Sequence, residues 1–227
     1  KIASALPASF MGYIRFAQTG ASNLFASIGL NGTTTGNELY ESTDFGATWT
    51  AKANSNHCNF QHWFAHDPAV NPNNTDQVLM CGVSWYRYTV STSTRTSVST
   101  PGHADVHDIV FDPNVANRVY VTHDGGISVS NDGGANFSDK NTGLRATQFY
   151  ASFGVSATTA DRYVGGLQDN GVWSYNGSAW ASEFGGDGGP SVVDPTNANI
   201  VLASNDARSV RRSTTGVTGA YGSVLGS

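Results

Sequence analysis

A short pattern recurs along this chain at near-constant intervals, and no other feature limits its fold so tightly. Phe111-Asp112-Pro113, followed by Asn117-Arg118-Val119-Tyr120-Val121, returns as Val193-Asp194-Pro195 followed by Asn199-Ile200-Val201-Leu202. A looser copy runs from His66-Asp67-Pro68 to Gln77-Val78-Leu79-Met80. Val155-Ser156 leading to Arg162-Tyr163-Val164 lacks the Asp-Pro, and Leu24-Phe25-Ala26 marks the earliest copy. Between the copies lie short β-branched and aromatic runs separated by Gly, Asn, Asp and Pro. That is strand-and-turn chemistry, with helical periodicity nearly absent.

The copies are spaced by about 43 to 45 residues, the length of one four-stranded antiparallel blade. The expected fold is therefore an all-β propeller with about five traceable units: 10–56, 57–100, 101–144, 145–184 and 185–227. They are read as one domain over 1–227. Six blades need about 260 residues and seven about 310, so the expectation is a fragment, a small ring, or an arc completed by another copy or by remaining blades. An open arc would expose strand edges and blade faces and favour pairing.

The hairpin after the third strand of a unit carries the sharpest motif. Ser42-Thr43-Asp44-Phe45-Gly46-Ala47-Thr48-Trp49 recurs as Ser130-Asn131-Asp132-Gly133-Gly134-Ala135-Asn136-Phe137, with degenerate copies near Tyr175 to Trp180 and Ser213 to Gly216. The Asp can accept backbone N–H groups within the turn, the Gly takes positive φ, and the aromatic packs between blades. This pattern resembles the Asp-box, or BNR, repeat of sialidase-type propellers, sortilin-like luminal domains and xyloglucan-cleaving propeller hydrolases. The resemblance implies that Ser42, Asp44, Gly46, Trp49, Ser130, Asp132, Gly134 and Phe137 are structural turn locks on the face away from the ligand.

Aligning the units gathers polar residues at the other face. His103-Ala104-Asp105-Val106-His107-Asp108 and Gly185-Gly186-Asp187-Gly188-Gly189 enter inner strands, with Asp187 matching Asp105 and His62 matching His107. His123-Asp124-Gly125-Gly126, Gln168-Asp169-Asn170-Gly171 and Asn205-Asp206 leave second strands. Carboxylates flanked by Gly let a sugar approach side chain and backbone together. Asp124, Asp169 and Asp187 are the candidate catalytic carboxylates, since glycoside cleavage uses a pair of them. His103, Asp105, His107, Gln168 and Asn170 are candidate ligand contacts. In an extended strand His103, Asp105 and His107 would point one way, as a divalent metal requires. Calcium also suits the Asp, Asn and loop carbonyls, although no cofactor is required. Each residue has a structural alternative as a turn cap or an interblade hydrogen bond. Trp85, Tyr86, Tyr88 and Trp173 are candidate sugar-stacking rings, with interblade packing as the competing role.

Sialidase activity is disfavoured, because no Phe-Arg-Ile-Pro-like element occurs. Arg208, Arg211 and Arg212 cluster in one unit, and Glu38, Glu41 and Glu183 are the only glutamates. Two classes remain: a glycan- or protein-binding or assembly module, and a hydrolase resembling the xyloglucan-cleaving propellers. The first is preferred. Partners would be a polysaccharide or glycoprotein.

Composition excludes other classes. With 12 basic against 17 acidic residues and no basic run, nucleic acid has no phosphate-tracking patch. No apolar stretch approaches the roughly 20 residues of a membrane span. Abundant Ser, Thr and Asn suit an extracellular or cell-surface protein, and with no leader following Lys1 any secretion signal is expected either to have been removed or never to have been part of this stretch. Sequons stand at Asn31, Asn73, Asn136 and Asn176. Cys58 and Cys81 read either as a disulfide across neighbouring strands, if the protein is secreted, or as two buried thiols. Two cysteines without partner cysteines are too few for a structural zinc site.

Overall fold

In the computed structural model, residues 6–7, 12–29, 38–53, 56–99, 103–144, 147–205 and 209–225 are described. Asn31, Asp206 and Arg208 lie outside them. Among the described residues twenty strands form five four-stranded sheets, each an antiparallel meander in chain order. The first contains β1 (Ile14–Thr19), β2 (Asn23–Ile28), β3 (Leu39–Ser42) and β4 (Thr50–Ala53). The second contains β5 (Asp67–Val70), β6 (Gln77–Cys81), β7 (Trp85–Thr89) and β8 (Thr94–Ser97). The third contains β9 (Val106–Phe111), β10 (Val119–His123), β11 (Gly126–Ser130) and β12 (Ser138–Asp139). The fourth contains β13 (Phe149–Val155), β14 (Tyr163–Leu167), β15 (Gly171–Tyr175) and β16 (Trp180–Phe184). The fifth contains β17 (Gly188–Val193), β18 (Val201–Asn205), β19 (Ser209–Ser213) and β20 (Gly222–Leu225). These are propeller-type blades. Among the described residues no helix is long and apolar enough to cross a membrane.

Where the repeat reads as one domain, the contacts gather into two compact units, 1–144 and 145–227. Three blades make the first and two the second, and inner strands pack side by side within each: β1, β5 and β9 in one, β13 and β17 in the other.

The hydrophobic pattern explains the stacking. Strand β10 alternates buried Val119, Val121 and His123 with more exposed partners, the period-2 signature of a half-buried strand. Strand β6 does not alternate, and Val78, Leu79, Met80 and Cys81 are all buried. It belongs to the middle blade, with a blade on each side. Val78 and Met80 join Phe25, Leu39 and Tyr88 in one core, while Leu79 and Cys81 join Val106, Val119 and Trp85 in the other. Burying each such side chain contributes roughly 1.5–3 kcal/mol. Trp85 and Tyr88 are therefore core residues, not sugar platforms.

The two Ser-x-Asp-x-Gly turns fold alike, between the third and fourth strands of their blades. Ser42 Oγ donates to Asp44 Oδ1 at 2.8 Å and accepts the Gly46 N–H, while Asp44 accepts from the Thr48 N–H and hydroxyl. Ser130, Asp132, Gly134 and Asn136 repeat the network, and Phe137 meets Trp85 edge-on at 5.0 Å. These bonds hold both carboxyls down at about 2; for Asp44 the Thr48 hydroxyl is the main cause, and for Asp132 hydrogen bonds led by Asn136 outweigh partial burial. Each turn is also tied to the first hairpin of its blade: Phe45 N–H to Ser22 O, and Gly133 N–H to Asn117 O, both at 2.8 Å. In the second blade the lock is inverted. Asp76 sits on the first hairpin and accepts the Ser91 N–H and hydroxyl at 2.6 and 2.7 Å.

Two sequence expectations change. Asp112 and Asp194 do cap their turns, accepting N–H groups from Asn114 and Val115, and from Thr196 and Asn197. Asp67-Pro68 instead lies inside β5, paired with Cys81 and Met80, and the cap in that blade is Asn71, bonded to the Asn73 N–H. Proline is tolerated there because β5 is an edge strand. The shift makes His66, not His62, the counterpart of His107. Cys58 and Cys81 are separate buried free thiols, not a disulfide. Cys81 sits in β6 between two cores, while Cys58 precedes a 3-10 turn, Asn59–Gln61.

Candidate functional site

In the first unit the polar loops of the second and third blades meet. His107, in β9, donates from Nε2 to Asp124 Oδ1 at 2.5 Å across the sheet end. Asp105 lies beside them, buried, and its carboxyl is raised first by that burial and then by the Asp124 charge, against a smaller pull from His103 and a Gln61 hydrogen bond. His103 is packed on Gly125, where an added Cβ would lie 2.6 Å from the His103 Cβ. The glycine is thus a close-approach position.

His103, Asp105 and His107 do not share a strand face. Strand β9 begins at Val106, and Asp105 has φ +63°, so the alternation that would align three side chains on a metal is broken. His123 is structural. Ser128 donates to Asp139, so His123 must donate to Ser128 through Nε2, and its Nδ1 accepts the Gly125 N–H. Burial lowers its basicity further.

The loop before β5 adds an aromatic feature to this group. Trp63 is 61% exposed and Phe60 62%. Trp63 leans on Phe64 at 5.4 Å between ring centroids, and Phe64 meets His107 edge-on at 4.9 Å. A chain of rings thus runs from an exposed indole to the His107–Asp124 pair. The signal was the run Asn59-Phe60-Gln61-His62-Trp63-Phe64, three aromatic rings in six residues of a connection where burial is not required.

A groove of about 700 Å³ follows β1, β5 and β9 in the same unit, with Arg15, Asp67 and Asp108 among its polar lining and Phe16 and Val110 among its apolar lining. Asp67 accepts the Ile109 N–H at 3.0 Å, yet burial, helped by Asp108, pushes its carboxyl up to about 7.

In the second unit, Asp187 Oδ1 accepts the Asp169 N–H at 3.0 Å. Asn170 bonds the Gln168 carbonyl, Trp173 Nε1 bonds the Asn170 carbonyl at 2.8 Å, and Asn205 reaches the Gly185 carbonyl. Asp169 has φ +61°, a tight turn that orients this loop. The structure therefore brings Asp187 to Asp169 in one unit and Asp105 and His107 to Asp124 in the other. Glu183 accepts from Ser174 instead of joining either group. Of the remaining predicted stacking rings, Tyr86 lies under Arg95 at 4.8 Å, and Trp173 is half-buried.

No family model matches the sequence, and no curated protein matches it. Solved structures resemble it distantly. A GH74 enzyme from Niastella koreensis is 19% identical with a TM-score of 0.44, covering 94% of this chain and 38% of its own. The GH74 xyloglucanase of Xanthomonas campestris is 16% identical with a TM-score of 0.44, over 93% and 38%. YCF48 bound to a D1 peptide is 12% identical with a TM-score of 0.38, over 93% and 82%. The chain thus spans under two-fifths of the GH74 enzymes it resembles.

Proposed function

We propose that this chain is a secreted or cell-surface Asp-box propeller module that binds a polysaccharide through the first unit, at the face carrying Trp63 and the Asp105–His107–Asp124 group. The observation that carries this reading is the exposed Trp63 platform, joined by ring contacts through Phe64 to His107, which is hydrogen-bonded to the Asp124 carboxylate. Pyranose rings present an apolar C–H face and an equatorial belt of hydroxyls. A flat indole takes the first and carboxylates beside glycine take the second. Ionised carboxylates accept strongly from hydroxyl donors, and His107 orients Asp124 for that role. Asp169, Asp187, Gln168 and Asn170 are proposed as a further polar contact surface of the second unit, and calcium is a compatible ion there.

The test is affinity electrophoresis of the full chain in gels containing soluble β-glucans, xyloglucan among them. Retardation that is lost in Trp63→Ala and Asp124→Asn, with melting temperatures unchanged, supports the proposal. Migration unaffected by every glycan refutes it.

One observation favours hydrolysis as the second reading. Two carboxyls, Asp105 and Asp124, stand together in the first unit, and burial first and then Asp124 raise that of Asp105, the direction in which a general acid is tuned. Asp105 would then be the acid and Asp124 the base or nucleophile, with Asp169 and Asp187 the alternative pair. New reducing ends, abolished by Asp105→Asn or Asp124→Asn, would establish it.

A further inference from the structure

Between the first and second blades lies a buried polar centre that the site above does not use. Ser27, in β2, points its hydroxyl between two imidazoles, with Oγ 2.7 Å from His57 Nε2 and 2.8 Å from His66 Nδ1. Ser27, His57, Cys58 and His66 have no exposed surface. Glu38, equally buried, accepts the His57 backbone N–H at 2.8 Å and lies 3.0 Å from His57 Nδ1. That contact keeps the proton of a neutral His57 on Nδ1 and aims the Nε2 lone pair at the centre. Tyr13 stacks on His66 at 4.5 Å and 12°, fixing the plane of the ring. With His57 Nε2 unprotonated, the single Ser27 proton goes to it, so His66 Nδ1 carries a proton and donates to Ser27 Oγ. The buried His66 Nε2 has no hydrogen-bond partner among the described residues, and taking up a metal at Nδ1 would move that proton to Nε2. One donor atom each from His57, Cys58 and His66 lie within 4.8 Å of one another.

We propose that His57, Cys58 and His66 hold a structural zinc ion, with Ser27 Oγ as the fourth donor and Glu38 orienting His57 from behind. Ligands of tetrahedral zinc sit at about 2.0–2.3 Å from the metal and so about 3.3–3.8 Å from one another. The His57, Cys58 and His66 donors, within 4.8 Å of one another, would close by up to about 1.5 Å, while Ser27 Oγ, 2.7 and 2.8 Å from the two ring nitrogens, would draw back to admit the ion. Two imidazoles and a thiolate are a donor set that zinc favours over magnesium or calcium, which take oxygen. Charge closes as well. Zn²⁺, one thiolate and the Glu38 carboxylate sum to zero, which a dry interior requires. The Cys58 thiol proton leaves to solvent as the zinc–sulfur bond forms. The ion would pin the loop after β4 to the end of β2 and to the start of the second blade, positioning the segment that carries Phe60 and Trp63. The cysteines alone are too few for such a site; the histidines complete it.

The full chain is refolded from denaturant with cobalt(II) as the spectroscopic probe, then titrated with zinc. The expected result is a thiolate-to-cobalt charge-transfer band at about one ion per chain, bleached by zinc, and a melting temperature at least about 5 °C above the metal-free protein. Cys58→Ser should lose the band, while Cys81→Ser, which removes an equally buried thiol, should keep it. A folded wild-type chain without the band, or a band that survives Cys58→Ser, overturns the proposal. Should Cys58→Ser fail to fold, the wild-type spectrum decides alone.

Discussion

At the scale of single residues, two kinds of aspartate pull stability in opposite directions with pH. Asp67 has its carboxyl raised to about 7, chiefly by burial, so the folded state holds that proton more tightly than the unfolded chain. Its contribution is complete below the unfolded value near 4 and is lost as pH rises through about 7. Asp67→Asn, which keeps the oxygen that accepts the Ile109 N–H, should raise the melting temperature at pH 8 and leave it little changed at pH 4. A lower midpoint at pH 8 would contradict this. Asp44 and Asp132, held down at about 2, stabilise above the unfolded value and lose that contribution as pH falls toward 2. Asp132→Ala should cost about 1 kcal/mol, reduced by exposure from the value of a buried charged hydrogen bond, and denaturant unfolding reads it directly. The local chemistry of these turns was legible from sequence, because Asp44, Asp112, Asp132 and Asp194 bond their own neighbours. Asp67 was not, since the same Asp-Pro dipeptide sits in a strand whose register is set by pairing with Cys81 and Met80 of the next strand, not by its own neighbours.

At the scale of elements, the blades pack where glycine leaves room. A Cβ on Gly166 in β14 would lie 2.2 Å from the Gly188 backbone carbon of β17, and one on Gly188 would meet Leu167 N at 2.5 Å. Neither contact involves a movable side-chain tip. Gly166→Ala should therefore force the two strands apart and lower stability by more than 2 kcal/mol, measured by chemical denaturation. An unchanged midpoint would show that β14 and β17 do not pack this closely. The number and kind of strands were readable from repeat spacing. The sorting of aromatics was not, because the same residue types fill blade cores and exposed loops. Trp85 and Tyr88 are buried by blades on both sides of β7, while Trp63 is left out on a loop.

At the scale of the whole molecule, the repeat spacing predicted five antiparallel blades, and all five are present. The second unit also leaves an aromatic face open: Phe149, Phe153 and Trp180 are 40–45% exposed and connected through ring contacts that include Tyr163 and Tyr175. A contiguous apolar face of this kind favours association. Light scattering should show mass rising with concentration, and Trp180→Ala combined with Phe153→Ser should suppress the rise. A strictly monomeric wild type would contradict it. The proposed recognition face rests on Trp63 and Asp124, which lie far apart in sequence, so no linear motif announces it. The most direct measurement is calorimetric titration of a soluble β-glucan into the full chain, with product analysis of the same sample. Saturable heat that disappears in Trp63→Ala, with the glycan recovered intact, is the predicted result. Shortened glycan chains, or heat unaffected by Trp63→Ala, would contradict the account.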